Sequence, residues 1–214
     1  MKTETLSTIA VAVVLLVGVP AAFPQGSFVN LDFEHPFLPL TPVNPQVLIT
    51  DGLPGWSGYI GGVQVDRVLY NTVGLGSSEI DLQGPGSLEP ILQGSYTVGM
   101  GPSAQGLSTA IAQVGTIPTS ARSLSFYVYP GSLFTVSFAG QDLPASVIGS
   151  TATATILGAD ITALAGQTGE LRFQGGGELD YIQFSNQPIP EPSFFALSAL
   201  GALLLRWRVL HLRR

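Results

Sequence analysis

Large apolar residues in the middle of the chain recur at every second position. Leu124, Phe126 and Val128 alternate with Ser125, Tyr127 and Tyr129, and Phe134, Val136 and Phe138 alternate with Thr135 and Ser137. A period of two puts successive side chains on opposite faces of an extended backbone, so each run predicts a half-buried strand. Pro130-Gly131-Ser132 between them is a turn sequence, and together the two runs predict a hairpin. Further strands are predicted at Phe28–Phe33, Val63–Tyr70, Ile80–Leu82, Tyr96–Met100 and Ala110–Val114. The last two, Leu171–Phe173 and Leu179–Phe184, are joined by Gly175-Gly176-Gly177. Glycine and proline are spread between the runs, as many short strands and tight turns require, and no fixed-period repeat is visible. Pro36–Pro54, with five prolines, predicts an irregular surface loop. Asp160 to Gly166 predicts one helical turn, with Asp160 as N-cap and Gly166 as its stop. The expected class is all-β.

The two ends of the chain break this pattern. Lys2 precedes an apolar run from Ile9 to Val19, and Pro20-Ala21-Ala22 then offers small residues for a signal peptidase. Residues 1–22 therefore predict a removed signal peptide. At the other end stand Pro190-Glu191-Pro192-Ser193, an apolar run from Phe194 to Leu205, and then Arg206, Arg208, Arg213 and Arg214. As a helix the apolar run reaches about 18 Å, short of a hydrocarbon core of roughly 30 Å. Extension through Leu212 brings it to about 28 Å. The extension carries two arginines near one end, where their heads can snorkel to the interface beside Trp207. Residues 188–214 predict a membrane helix whose basic end stays in the cytoplasm while the body lies outside.

These three features in this order resemble the PEP-CTERM sorting signal of Gram-negative bacteria. Pro190, Glu191 and Pro192 match its motif, and Arg206, Arg208, Arg213 and Arg214 match its basic cluster. The resemblance covers about the last 25 residues. It implies an exported precursor held transiently in the inner membrane, processed by an exosortase near the motif, and released to the cell surface or extracellular matrix. An ordinary C-terminal anchor with a chance Pro-Glu-Pro is the alternative.

Between the processing segments, residues 23–187 are enough for one domain with a proper core. They hold three arginines, no lysine and twelve acids, a net charge of −9 against −6 for the whole chain. Such a surface has little attraction for nucleic acid, which is excluded as a partner. Cysteine is absent from the chain, which removes thiol redox chemistry and thiolate metal sites. His35 is the one histidine of this body and precedes Pro36, as a loop residue does. Most nucleophile–base constellations lack parts, and only carboxylate chemistry remains open.

The Asp160–Phe173 stretch, followed by Leu179-Asp180-Tyr181-Ile182, resembles the end of galactose-binding-like jelly rolls. Asn30-Leu31-Asp32-Phe33-Glu34 resembles their opening strand, with Trp56 further on. The resemblance implies an antiparallel β-sandwich, a jelly roll, but says little of function. It also implies a structural calcium between an acid of the first strand and one of the last, places that Glu34 and Asp180 occupy. By alternation Asp180 shares a face with Ile182 and Phe184, where a charge must be paired or bound. The alternatives are that Asp180 bonds backbone amides, or that the face of Leu179 and Tyr181 is the buried one. Trp56, Tyr59, Tyr70, Tyr127 and Tyr129 could form a platform for a sugar ring, or be packing residues. Glu79 and Asp81 are a carboxylate pair open to glycoside hydrolysis, without a spacing that fixes a site. Gly74-x-Gly76 and Gly84-x-Gly86 read as turns rather than phosphate loops. The expectation is an exported, surface-sorted, non-enzymatic protein associated with extracellular polysaccharide. A carbohydrate-binding module is the alternative, and a carboxylate-based glycosidase stands behind it.

Overall fold

The computed structural model describes residues 26–38, 45–72, 79–101 and 106–189. The predicted leader, the tail from Pro190 and the Gly74-x-Gly76 turn lie outside the described residues. Within them the chain is all-β. In order the strands are β1 Gln46–Leu48, β2 Ser57–Ile60, β3 Val63–Val65, β4 Arg67–Tyr70, β5 Ile80–Gln83, β6 Thr97–Met100 and β7 Thr109–Thr116. Then come β8 Ser123–Val128, β9 Leu133–Phe138, β10 Gln141–Leu143, β11 Ser146–Ser150, β12 Thr155–Asp160 and β13 Thr168–Ser185. Among the described residues, helical structure is limited to two short turns, Ile49–Gly52 and Thr162–Leu164.

Hydrogen-bonded neighbours form two ladders that share β13. One runs β1-β4-β5-β6-β13-β8-β12-β11 and the other β3-β2-β7-β13-β9-β10. All pairs are antiparallel except β4 with β5. The first half of β13, through Gly176, lies between β7 and β9. Its second half, from Gly177, lies between β6 and β8. The glycines joining the two predicted runs are thus a bend within one strand. Gly175 has φ +157° and Gly177 φ +116°. A Cβ on Gly175 would collide with the Leu133 carbonyl, and one on Gly177 with the Ser132 side chain. Only glycine lets the strand pass from one ladder to the other here.

The predicted β8–β9 hairpin does not form. Pro130 and Gly131 do make a turn, with Ser132 N–H donating to the Tyr129 carbonyl at 2.9 Å, but that turn carries the chain from one ladder to the other. β8 and β9 pair with opposite halves of β13 instead. The physical reason is the interior. Phe126 of β8 meets Phe173 of β13 edge-on at 5.1 Å across the core. Phe173 meets Trp56 at 6.3 Å, and Trp56 meets Phe33 at 5.6 Å. Two inward-facing runs bury more apolar surface facing each other across a core than side by side on one face. The buried residues form one continuous cluster.

Phe28–Phe33 is not a strand. Asn30 and Phe33 take left-handed φ values of 50° and 58° and fold the segment into a turn. The Gln113 side chain replaces a strand partner, accepting from Val29 N–H at 2.6 Å and donating to the Val29 carbonyl at 2.9 Å. The stretch expected to be a loop, Pro36–Pro54, contains β1 and the turn Ile49–Gly52, with residues 39–44 outside the description. The helical turn expected over Asp160–Gly166 forms as the 3₁₀ turn Thr162–Leu164, but its N-cap is Ile161; Asp160 ends β12, and its Oδ1 takes the Thr162 N–H at 2.8 Å. That bond holds its carboxyl below the usual range.

Candidate functional site

The outer face of the larger sheet is polar where β5, β6, β13 and β8 meet. Ile80 and Leu82 of β5, Val98 and Met100 of β6, Leu179 of β13 and Phe126 and Val128 of β8 belong to the core. Alternation sends Asp81, Gln83, Thr97, Gly99, Glu178 and Tyr127 to the opposite face. The registers line them up. Asp81 pairs with Gly99, and Gly99 pairs with Glu178. Gln83 pairs with Thr97 in the next row, and Asp180 pairs with Tyr127. Every residue of β5 and β6 is buried, on both faces. The connection from Gly84 to Tyr96 returns over this outer face and is fastened there.

Asp180 is one fastening. Its Oδ2 accepts the Gln93 N–H at 2.9 Å and the Thr97 hydroxyl at 2.7 Å, and its Oδ1 accepts the Tyr181 N–H at 2.7 Å. Thr97 Oγ1 in turn accepts the Leu92 N–H at 2.9 Å. Glu34 is the other fastening, with Oε1 accepting the amides of Ser95 at 2.8 Å and Tyr96 at 3.0 Å. The two acids singled out in the sequence therefore converge on one loop. Alternation alone places Asp180 with Ile182 and Phe184 on the core face. A bulge corrects this: between Asp180 and Gln183 the register slips against β8, and Tyr181 takes φ 47°. The extra residue keeps Ile182 and Phe184 in the core while Asp180 stays on the outer face, fully enclosed beneath the loop. Burial pushes its carboxyl up to about 7, against the lowering pull of the Thr97, Tyr181 and Gln93 hydrogen bonds.

A calcium ion takes six to eight oxygens at about 2.3–2.6 Å. Asp180 turns both its oxygens to N–H and O–H donors, whose positive ends point where an ion's charge would lie. Among the described residues no three His, Cys, Asp or Glu side chains gather to hold a metal. This donor set fits a carboxylate that holds a loop better than one that holds calcium.

The five aromatic residues do not assemble into one platform. Trp56 is buried, and its Nε1 donates to the Asn30 carbonyl at 3.0 Å. Tyr59 carries the Arg172 guanidinium over its ring at 4.4 Å. Tyr70 packs against the core from its edge. Tyr127 instead pairs with Tyr181, ring centroids 5.0 Å apart, and Tyr129 is exposed. His35 is exposed in its loop.

Glu79 and Asp81 belong to a cleft of about 130 Å³ at the end of the same outer face. Glu89, Glu178, Gln83 and Thr72 also line it. Asp81 Oδ2 accepts the Thr72 N–H at 3.1 Å and its hydroxyl at 3.0 Å. Burial raises the Asp81 carboxyl to about 6, Thr72 pulls it back, and Glu79 and Glu89 add to the rise. Burial likewise raises Glu178, with Glu89 contributing. The sequence pointed to Glu79 and Asp81 but not to Gln83, Glu89, Gly99 or Glu178. Strand registers bring these together, and registers are not legible without knowing which strands pair.

In comparisons with known proteins, the chain matches no family model, no curated protein and no solved structure.

Proposed function

We propose that this is an exported, surface-sorted, non-enzymatic protein whose body is an antiparallel β-sandwich of jelly-roll type, placed in the extracellular polysaccharide matrix. The observation that carries the reading is the order of Pro190-Glu191-Pro192, an apolar run and four arginines, behind an N-terminal segment shaped for export. An inner-membrane precursor, cut by signal peptidase at one end and by an exosortase at the other, follows from that order. The body agrees with a holding role. Its enclosed acid, Asp180, and its neighbour Glu34 bind backbone amides, so their oxygens serve a loop and not a reacting bond.

A carbohydrate-binding module is the second reading, favoured by the Tyr127–Tyr181 pair on the outer face, since aromatic rings at a surface suit stacking on sugars. A carboxylate-based glycosidase is a third and rests on the acids of the cleft alone. One experiment separates them: the full chain is expressed in an exosortase-bearing host, fractionated, and its surface form tested on a glycan array. Recovery at the surface without glycan binding or sugar release supports the structural role. Saturable binding moves the reading to the module, and sugar release to the enzyme. Retention in the cytoplasm overturns all three.

A further inference from the structure

The acidic cleft has the makings of a ligand site beyond its charge. Asp81 is 7% exposed and Gln83 3%, yet Asp81 Oδ1 and Gln83 Oε1 find no hydrogen-bond donor among the described residues. Buried oxygens without donors are uncommon, because each forfeits its hydration. Both side chains line the same cleft, two positions apart on one face of β5. The partner of Asp81 on β6 is Gly99, and a Cβ there would come within 2.5 Å of Gln83 Nε2. The glycine makes room for the Gln83 amide, which lies over it on this face. Glu178, across Gly99 on β13, supplies the opposite wall. Among the described residues no lysine or arginine lines the cleft to neutralise its four carboxylates.

We propose that this cleft binds a divalent cation that keeps part of its water, with Asp81 Oδ1 as the direct ligand and Gln83, Glu178, Glu79 and Glu89 reached through that water. The spacing selects this kind of ligand. Asp81 and Glu178 stand two strands apart, roughly 10 Å between backbones. No three acidic side chains meet at a common point among the described residues, so a bare ion cannot take them all directly. A primary ammonium is also a poor fit, since its donors reach only acceptors within about 3 Å. An ion with its water shell reaches acceptors roughly 4–5 Å away in every direction, and magnesium and calcium both hold water alongside carboxylates. The cleft has room for a few waters at about 30 Å³ each. Asp81 differs from Asp180 in the point that matters: one of its oxygens is free of donors.

The test is calorimetric titration of calcium and of magnesium into the full chain in detergent, beside Asp81→Asn, Glu178→Gln, Glu89→Gln and Asp142→Asn. One saturable site is expected, weakened at least tenfold in Asp81→Asn, several-fold in Glu178→Gln and Glu89→Gln, and unchanged in Asp142→Asn, an exposed acid of β10 outside the cleft. Glu89 sits on the covering loop, so its variant keeps the test alive if Asp81→Asn fails to fold. Lack of saturable binding by either ion overturns the proposal. So does binding that survives in Asp81→Asn and Glu89→Gln, or binding abolished by Asp142→Asn alone.

Discussion

Glu34 and Asp180 grip one loop at neighbouring points: Asp180 takes the amide of Gln93, and Glu34 takes the amides of Ser95 and Tyr96. One acid comes from the turn near the start of the described chain and the other from its last strand. The loop between β5 and β6 is therefore closed by contacts 61 to 87 residues apart. Asp180→Ala leaves the Thr97 hydroxyl and the amides of Gln93 and Tyr181 without their acceptor. It should cost about 3 kcal/mol, since each buried donor left unpaired costs roughly 1–3. Glu34→Ala, nearer to water, should cost about 1 kcal/mol. Urea unfolding of both variants measures the order, and equal costs would mean that the loop does not depend on Asp180.

The same acid gives stability a pH dependence. Its carboxyl lies at about 7 in the folded chain against an ordinary 3.8. Between those values the folded state holds a proton that the unfolded state has lost. The contribution is complete below the unfolded value and fades as pH rises through about 7, so this group makes the fold less stable at pH 8 than at pH 5. Glu34 and Tyr127 face it and couple to it. Asp180→Asn, which cannot ionise, should flatten the slope across that window. A melting-temperature profile equally steep in the variant would assign the dependence to other groups.

Chelation tests the calcium expectation at Glu34 and Asp180. A ligand bound only by the folded state raises the melting temperature by mass action. The donors around Asp180 predict that whatever calcium response the chain shows is the same in Asp180→Asn as in the parent. A response lost in that variant would return calcium to the latch.

The bend of β13 rests on glycine. Gly177→Ala puts a Cβ into the Ser132 side chain at φ +116°, and Gly175→Ala puts one into the Leu133 carbonyl. Each should cost roughly 1–3 kcal/mol as backbone strain, with the larger loss at Gly175, where the obstacle is rigid backbone. Thermal unfolding reads the difference. Parent-like melting in both would mean that the strand can bend elsewhere.

Period-two alternation was legible where large side chains carry it, as in Leu124–Val128 and Phe134–Phe138. It was silent over β11 and β12, where Ser146–Asp160 is rich in small residues and has no strong contrast between faces. Alternation also cannot say which strands pair. That is why β8 and β9 read as a hairpin and the Asp81–Gly99–Glu178 row stayed hidden. Asp180 was visible as a misplaced charge, but the bulge that moves it to the outer face has no signature in Leu179-Asp180-Tyr181-Ile182. Tyr181 at positive φ is a tertiary choice, made by Ile182 N–H donating to the Leu31 carbonyl at 2.9 Å and by the amide that Asp180 Oδ1 accepts.

The tail predicts a precursor held only for a time. As a helix, an apolar run of twelve residues followed closely by arginines would make a marginal anchor, because it would have to tilt little and snorkel its charges to span at all. On the sorting reading, replacing Arg206, Arg208, Arg213 and Arg214 by neutral residues should weaken retention, since the positive end that would fix orientation is then gone. Replacing Pro190, Glu191 and Pro192 should leave insertion intact and block processing, because prolines hold the peptide extended, the form a protease cleft grips. In a host with an exosortase the mature surface form should therefore end near residue 192, and in the motif variant the uncut chain should accumulate in the inner membrane. Mass spectrometry of the two fractions decides between the readings: an intact C-terminus through Arg214 on the surface form would make the tail a plain anchor.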